Sequence, residues 1–157
     1  MADPARAIAA AEMLQQWAPV AWLRTSVYAY PTLEVLHILG IALLFGTVWI
    51  VDLRLLGTIR KGNLHELARL LLPWTLAGFV LAAFTGLLMF TTRASDLIAN
   101  GAFVVKMGLL FAAGCNAALL HARGPLDDCN TVTRLQALLS VALWIAVVFC
   151  GRWIAYV

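Results

Sequence analysis

The sequence predicts an all-α fold: an integral membrane four-helix bundle preceded by an N-terminal amphipathic interfacial helix. Three observations carry that expectation. Hydrophobic residues make up 63% of the 157-residue chain and charged residues 12%, against about 25% charged in an average soluble domain. Apolar runs recur at 35–51, 70–90, 101–120 and 135–151, broken by an ionisable side chain only at His37 and Lys106. Each run is close to the ~20 residues with which a helix crosses a bilayer. Between the runs lie polar turns with breakers, such as Arg60-Lys61-Gly62-Asn63 and Arg123-Gly124-Pro125. A soluble fold of this size cannot hide so much apolar surface, because one face of each helix has to meet water.

Residues 1–30 form the interfacial segment and 31–157 the bundle. Over 5–17 the chain is Ala-rich, with Ile8, Ala11, Leu14 and Ala18 on one stripe and Glu12, Gln15 and Gln16 opposite. Pro19 interrupts this pattern and can open a second short helix. Trp17, Trp22, Tyr28 and Tyr30 cluster before the first span, as aromatic residues do at the headgroup layer. Residues 5–29 are therefore expected to lie on the membrane rather than cross it. The acidic and amide residues Asp3, Glu12, Gln15 and Gln16 are also unlike a cleaved signal peptide.

Pro31-Thr32 begins the first span, which Asp52-Leu-Arg54 closes. His65-Glu66 and Arg69 lead into the second span, which passes Pro73, Gly78 and Gly86 to reach Phe90; residues 93–100 read as a polar loop. The third span runs from Gly101 to His121 with Asn116 inside it, and the fourth from Arg134 to Trp153. Arg54, Arg60, Lys61, Arg69, Arg123 and Arg134 fall on one side, and only Arg6, Arg24 and Arg93 on the other, outside the spans. The excess of cations marks the first side as cytoplasmic, which puts both termini outside the cytoplasm.

Several function classes drop out. The basic residues are dispersed, unlike a nucleic-acid surface. Cys115, Cys129 and Cys150 are odd in number and lack CxxC spacing, which argues against a disulfide framework. No GxSxG, HExxH, P-loop or dinucleotide glycine pattern occurs, so independent catalysis is not expected.

What remains are the ionisable residues near the span ends. Glu34 and His37 are three apart and share a helix face. By helix rise, His37, Met89, Lys106 and Arg152 fall within roughly 8 Å of one membrane boundary, where buried charge usually marks a site. One reading is a polar pocket in which His37 is the ligand or proton-transfer residue. Lys106 and Arg152 would then neutralise carboxylates, those of Glu34 or of a cofactor. The plainer alternative is that both cations snorkel to water and His37 hydrogen-bonds Glu34. At the opposite boundary His65 and His121 form a second candidate pair, and Asn116 is expected to bond a neighbouring helix. His37 and His121 are roughly 25 Å apart along the membrane normal, so they cannot share an iron. Haem b ligated by His37 would take His37 of a second chain, Met89 or Met107 as its other ligand. Copper(I) could use His37 with the same methionines. Gly40 and Gly46 offer small positions to a helix or a flat cofactor, and could be hidden in a like chain as a closed homo-oligomer.

The strings Pro31-Thr-Leu-Glu34-Val-Leu-His37-Ile-Leu-Gly40, Asp52-Leu-Arg-Leu-Leu-Gly57 and Gly151-Arg152-Trp-Ile-Ala-Tyr156 resemble a bacterial family of small four-span membrane proteins of unknown function. That resemblance implies a bacterial inner (cytoplasmic) membrane location. More distantly, the plan is similar to four-helix b-type cytochromes and the copper-resistance membrane proteins related to them. Three functions follow as expectations: a haem b electron-transfer or redox subunit, possessing a redox or periplasmic partner protein; a copper-handling or small-solute transport protein; and a non-catalytic membrane subunit.

Overall fold

The structure, a computed structural model, describes residues 4–59, 63–123 and 130–156. The turn residues Arg60, Lys61 and Gly62, and the 124–129 turn with Cys129, lie outside the described residues. Among the described residues seven helices follow one another: α1 (Pro4–Gln16), α2 (Ala18–Thr25), α3 (Ala29–Leu55), α4 (Leu64–Thr92), α5 (Ala94–Ala99), α6 (Gly101–Ala122) and α7 (Thr131–Trp153). Helices α3, α4, α6 and α7 are long and apolar enough to cross a membrane. Only 17% to 22% of each one's most apolar stretch is buried within the chain, so the remaining surface needs lipid or a protein partner. The protein is an all-α, multi-pass membrane bundle.

Local chemistry sets where the helices begin and end. Asn63, Asn100 and Asn130 each accept a hydrogen bond from a first-turn amide, of His65, Phe103 and Thr133, at 2.9, 3.1 and 2.9 Å. Each thereby satisfies a backbone donor that a helix start leaves open. At the end of α3, Gly57 adopts φ +81°. The Gly57 amide bonds the Arg54 carbonyl at 3.1 Å and the Thr58 amide bonds the Leu53 carbonyl at 3.1 Å, a Schellman stop that favours glycine at that position.

The four spans pack as a curled row. Helix α3 runs along α4, α6 runs along α7, and α3 and α7 join the two hairpins. The backbones of α4 and α6 stay apart, and the stacked rings of Phe90 and Phe103, 5.5 Å between centroids, bridge them near one end. At the other end, Leu55, Leu64, Leu120 and Ala137 form a small buried core.

The closest approach is between α3 and α4. A Cβ on Gly40 would lie 2.7 Å from the Ala82 nitrogen, and one on Gly78 would lie 2.6 Å from the Leu44 nitrogen. Both clashes are with backbone, which cannot swing aside. This corrects the expectation that Gly40 is open to a second chain: its own α4 fills the space. Gly46 has nothing within 4 Å.

The N-terminal segment forms two helices, as Pro19 suggests, but α1 and α2 also dock on the bundle, α1 against α4 and α5 and α2 against α3 and α4. Residues 93–100, read from sequence as a loop, contain α5. With its amide oriented so that the oxygen faces the α5 start, Gln15 accepts from the Ala94 and Ser95 amides at 2.9 Å. A side chain from α1 thus caps a helix too short to stand alone. The outer faces of α1 and α2 expose Met13, Trp17 and Trp22.

Gly40→Leu should therefore destabilise the bundle by about 1–3 kcal/mol or more through overpacking. Gly46→Ala should leave stability unchanged or slightly raised, since Gly costs about 0.5–1 kcal/mol in a helix relative to Ala. Denaturant unfolding in detergent micelles compares the two. Equal losses would mean that Gly40 is not at a close helix contact.

Candidate functional site

The approach of α3 to α4 creates the setting of His37. One face of α4 carries Gly78, Ala82, Thr85 and Gly86 at helical spacing. A Cβ on Gly86 would fall 2.9 Å from His37 Cε1, so the absent side chain is the space the imidazole occupies. His37 is half-buried, and its Nδ1 lies 3.0 Å from Thr85 Oγ1.

The direction of that hydrogen bond follows from proton bookkeeping. Thr85 has one hydroxyl hydrogen and donates it to the Leu81 carbonyl at 2.6 Å. Its oxygen can then only accept from the imidazole. Nδ1 therefore carries hydrogen, and in the neutral imidazole the lone pair sits on Nε2, the arrangement by which a backing hydrogen bond presents histidine as a ligand or proton acceptor. The partner is Thr85 and not Glu34, which is exposed.

Lys106 points into the bundle and lies close enough to His37 for their charges to interact. Its Nζ reaches 3.3 Å from where a Gly151 Cβ would be. Helices α6 and α7 are held in register by Asn100 Nδ2 on the Ile154 carbonyl at 3.3 Å and Asn116 Nδ2 on the Gln136 carbonyl at 3.1 Å. That register sets Lys106 near the level of Val148, so its ammonium climbs about 4.5 Å toward the boundary. Lys106 reaches inward along α7, and Gly151 makes the room. Met89 is half-buried on the α4 face that carries Thr85 and Gly86, whereas Met107 turns outward with 48% exposure.

Arg152 does not join this group. It is exposed, donates from Nη2 to the Tyr156 hydroxyl at 2.6 Å and lies 5.0 Å over the Tyr156 ring. Among the described residues it forms no ion pair with Glu34. Of the residues read from sequence as one pocket, the structure brings together His37 and Lys106, with Met89 on the adjoining face. It leaves Glu34, Met107 and Arg152 outside. Thr85 and Gly86 were not singled out as site residues from sequence; the spacing of Gly78, Ala82 and Gly86, with a hydroxyl beside it, was the available signal.

At the opposite end His65 and His121 are both exposed, and His121 Nδ1 is engaged with its own helix at the Ala117 carbonyl, 2.9 Å away. Among the described residues no three His, Cys, Asp or Glu side chains come together as a metal-ion group. This end instead holds a buried polar network. Asn116 bonds α7 as expected, and Arg123 Nη1 donates to Gln136 Oε1 at 3.0 Å. Asp52, only 3% exposed, lies near Ser140 of α7, which is also buried.

These features define a small four-span membrane protein with one backed histidine between its first two spans. The chain belongs to the family of unknown function DUF6644, whose model matches residues 17–157, from just before α2 to the end. No curated protein and no solved structure matches it, so the likeness to b-type cytochromes and copper-resistance proteins gains no support from these comparisons.

Gly86→Ala should push the imidazole away from α4 and loosen its bond to Thr85. In diethylpyrocarbonate labelling read by peptide mass, His65 and His121 should react quickly and His37 slowly, with His37 accelerated severalfold by the substitution. An unchanged His37 rate would mean that Gly86 does not seat the ring.

Proposed function

We propose that this protein is a membrane redox subunit that binds haem b through His37 Nε2. The observation that carries the reading is the Nδ1 hydrogen bond to Thr85, whose own proton is committed to Leu81. It leaves a neutral nitrogen lone pair, and Nε2 makes no hydrogen bond to Thr85 or to another described side chain. Gly86 removes the side chain that would crowd the ring. The donor set fits such a group: His37, backed by a hydroxyl, would hold it, and the soft sulfur of Met89 lies on the α4 face that carries Thr85. Lys106 supplies positive charge near His37 to offset a propionate. Haem, when bound, would supply a one-electron carrier; His37 would hold it, Thr85 orients His37, and the apolar spans would exclude water.

Copper handling is the second reading and has less behind it. With Met107 turned outward, His37 and Met89 are what remains for a soft metal of the residues read from sequence. A non-catalytic subunit, the third reading, draws on the state of Arg152, which is held by Tyr156 of its own helix end and not by a site. As part of the proposal, the protein resides in a bacterial inner membrane with both termini outside the cytoplasm, assembles as a homo-oligomer through faces other than Gly40, and exchanges electrons with a redox or periplasmic partner.

An absorption spectrum of the purified protein with metal analysis distinguishes these. The haem reading expects a Soret band and iron; copper without a Soret band supports the second reading, and a colourless metal-free protein the third. His37→Ala should abolish the band with the helices intact by circular dichroism. Thr85→Val, which keeps shape and removes the acceptor, should weaken haem affinity about 10–100-fold. His65→Ala and His121→Ala should leave it unchanged. Loss of the band in His121→Ala but not His37→Ala would move the site to the other membrane face.

A further inference from the structure

A polar cleft of about 350 Å³ opens beneath the N-terminal helices, lined by Gln15, Arg24, Tyr30, Thr92, Arg93 and Asp96. It draws on α1, the end of α2, the start of α3 and the α4–α5 corner. Its charges do not balance. Arg93 meets Asp96 at 3.6 Å, with the two side chains 65% and 67% exposed, a pair held weakly in water. Arg24 has no ion pair or hydrogen bond among the described residues. Gln15, its oxygen committed to the Ala94 and Ser95 amides, has only its NH2 left to offer, and Tyr30 has a hydroxyl. Two guanidiniums and two neutral donors around one concavity suit an anion with several oxygens, because guanidinium presents paired N–H groups to phosphate.

The surroundings add a second requirement. Arg24 lies in the last turn of α2, Tyr30 in the first turn of the first span and Thr92 at the last residue of the second, so the cleft sits at a membrane boundary. On the other side of the α2–α3 corner is an apolar groove of about 520 Å³, whose walls include Trp22, Leu23, Ala29 and Leu33. A polar, cationic cleft beside an apolar groove matches a molecule with an anionic head and a hydrocarbon tail.

We infer that the Arg24–Arg93 cleft binds a phosphate-bearing anion, the chemistry presented both by an anionic phospholipid headgroup and by free phosphate. Arg24 is the primary contact, Arg93 the second, and Asp96 competes with the ligand for Arg93. The site is independent of His37 and of any cofactor there.

The test uses the full chain in dodecyl maltoside micelles, titrated with phosphatidylglycerol, with phosphatidylcholine and with inorganic phosphate, bound ligand being counted by native mass spectrometry. Phosphatidylglycerol should bind more tightly than phosphatidylcholine. Arg24→Gln should weaken it about tenfold or more, as expected for losing a charged hydrogen bond. Asp96→Asn should tighten it by releasing Arg93, an effect that a poorly folded variant cannot produce. Displacement of the lipid by millimolar phosphate identifies free phosphate as a source, and failure of phosphate to compete identifies the lipid; either supports an anion site. Equal binding of the two lipids, unaffected by Arg24→Gln and Asp96→Asn, together with no binding of phosphate, would overturn it.

Discussion

Where Gly40 and Gly78 meet, the backbones of α3 and α4 leave no room for even one added carbon, since a Cβ on either would lie within 2.7 Å of a backbone nitrogen. In lipid no hydrophobic force drives helices together, so such contacts act through close packing and through the hydrogen bonds they bring within reach. Along this seam Thr47 and Thr75 place their hydroxyls 2.9 Å apart. Farther along it, His37 reaches Thr85 over the bare backbone of Gly86. Widening the seam would separate all of these pairs together. The histidine is thus placed by the same small residues that hold the first hairpin.

The two hairpins meet differently. Helices α3 and α7 meet and bury Asp52 and Ser140 at the end opposite His37, where Asn116, Gln136 and Arg123 form a hydrogen-bonded chain. Asp52 Oδ2 is buried without a hydrogen-bond partner among the described residues, and so is Trp49 Nε1, one turn earlier on the same helix. A donor and an acceptor left open on one face suit a bridging water. Polar burial of this kind is costly in a membrane, and it lies where the glycine seam no longer sets the geometry.

The spans were legible because composition alone decides them: uninterrupted apolar runs of membrane length have no soluble interpretation. Their ends were legible to within a few residues, since Asn and Gly stand where caps and stops are needed. Helix α5 was not, because its cap comes from Gln15, 80 residues earlier in the chain. The partner of His37 was missed for a similar reason. Glu34 is one turn away on the same helix, whereas Thr85 is 48 residues on and reads as an ordinary residue in an apolar run. Counting along helices could not give the direction in which Lys106 and Arg152 point. Arg152 turns to Tyr156 at the surface, and Lys106 inward to Gly151.

The ligand role of His37 depends on one tautomer. If Thr85 gives its proton to Leu81, His37 has to carry hydrogen on Nδ1 and present a bare Nε2. Nitrogen-15 NMR of histidine-labelled protein without bound metal, at a pH where histidine is neutral, reads this directly. The chain has only three histidines, and His37→Gln identifies the signal. The account predicts a protonated Nδ1 and an unprotonated Nε2 at His37, with that preference weakened in Thr85→Val. A proton on Nε2, or the mixture of tautomers found for free imidazole, would contradict it.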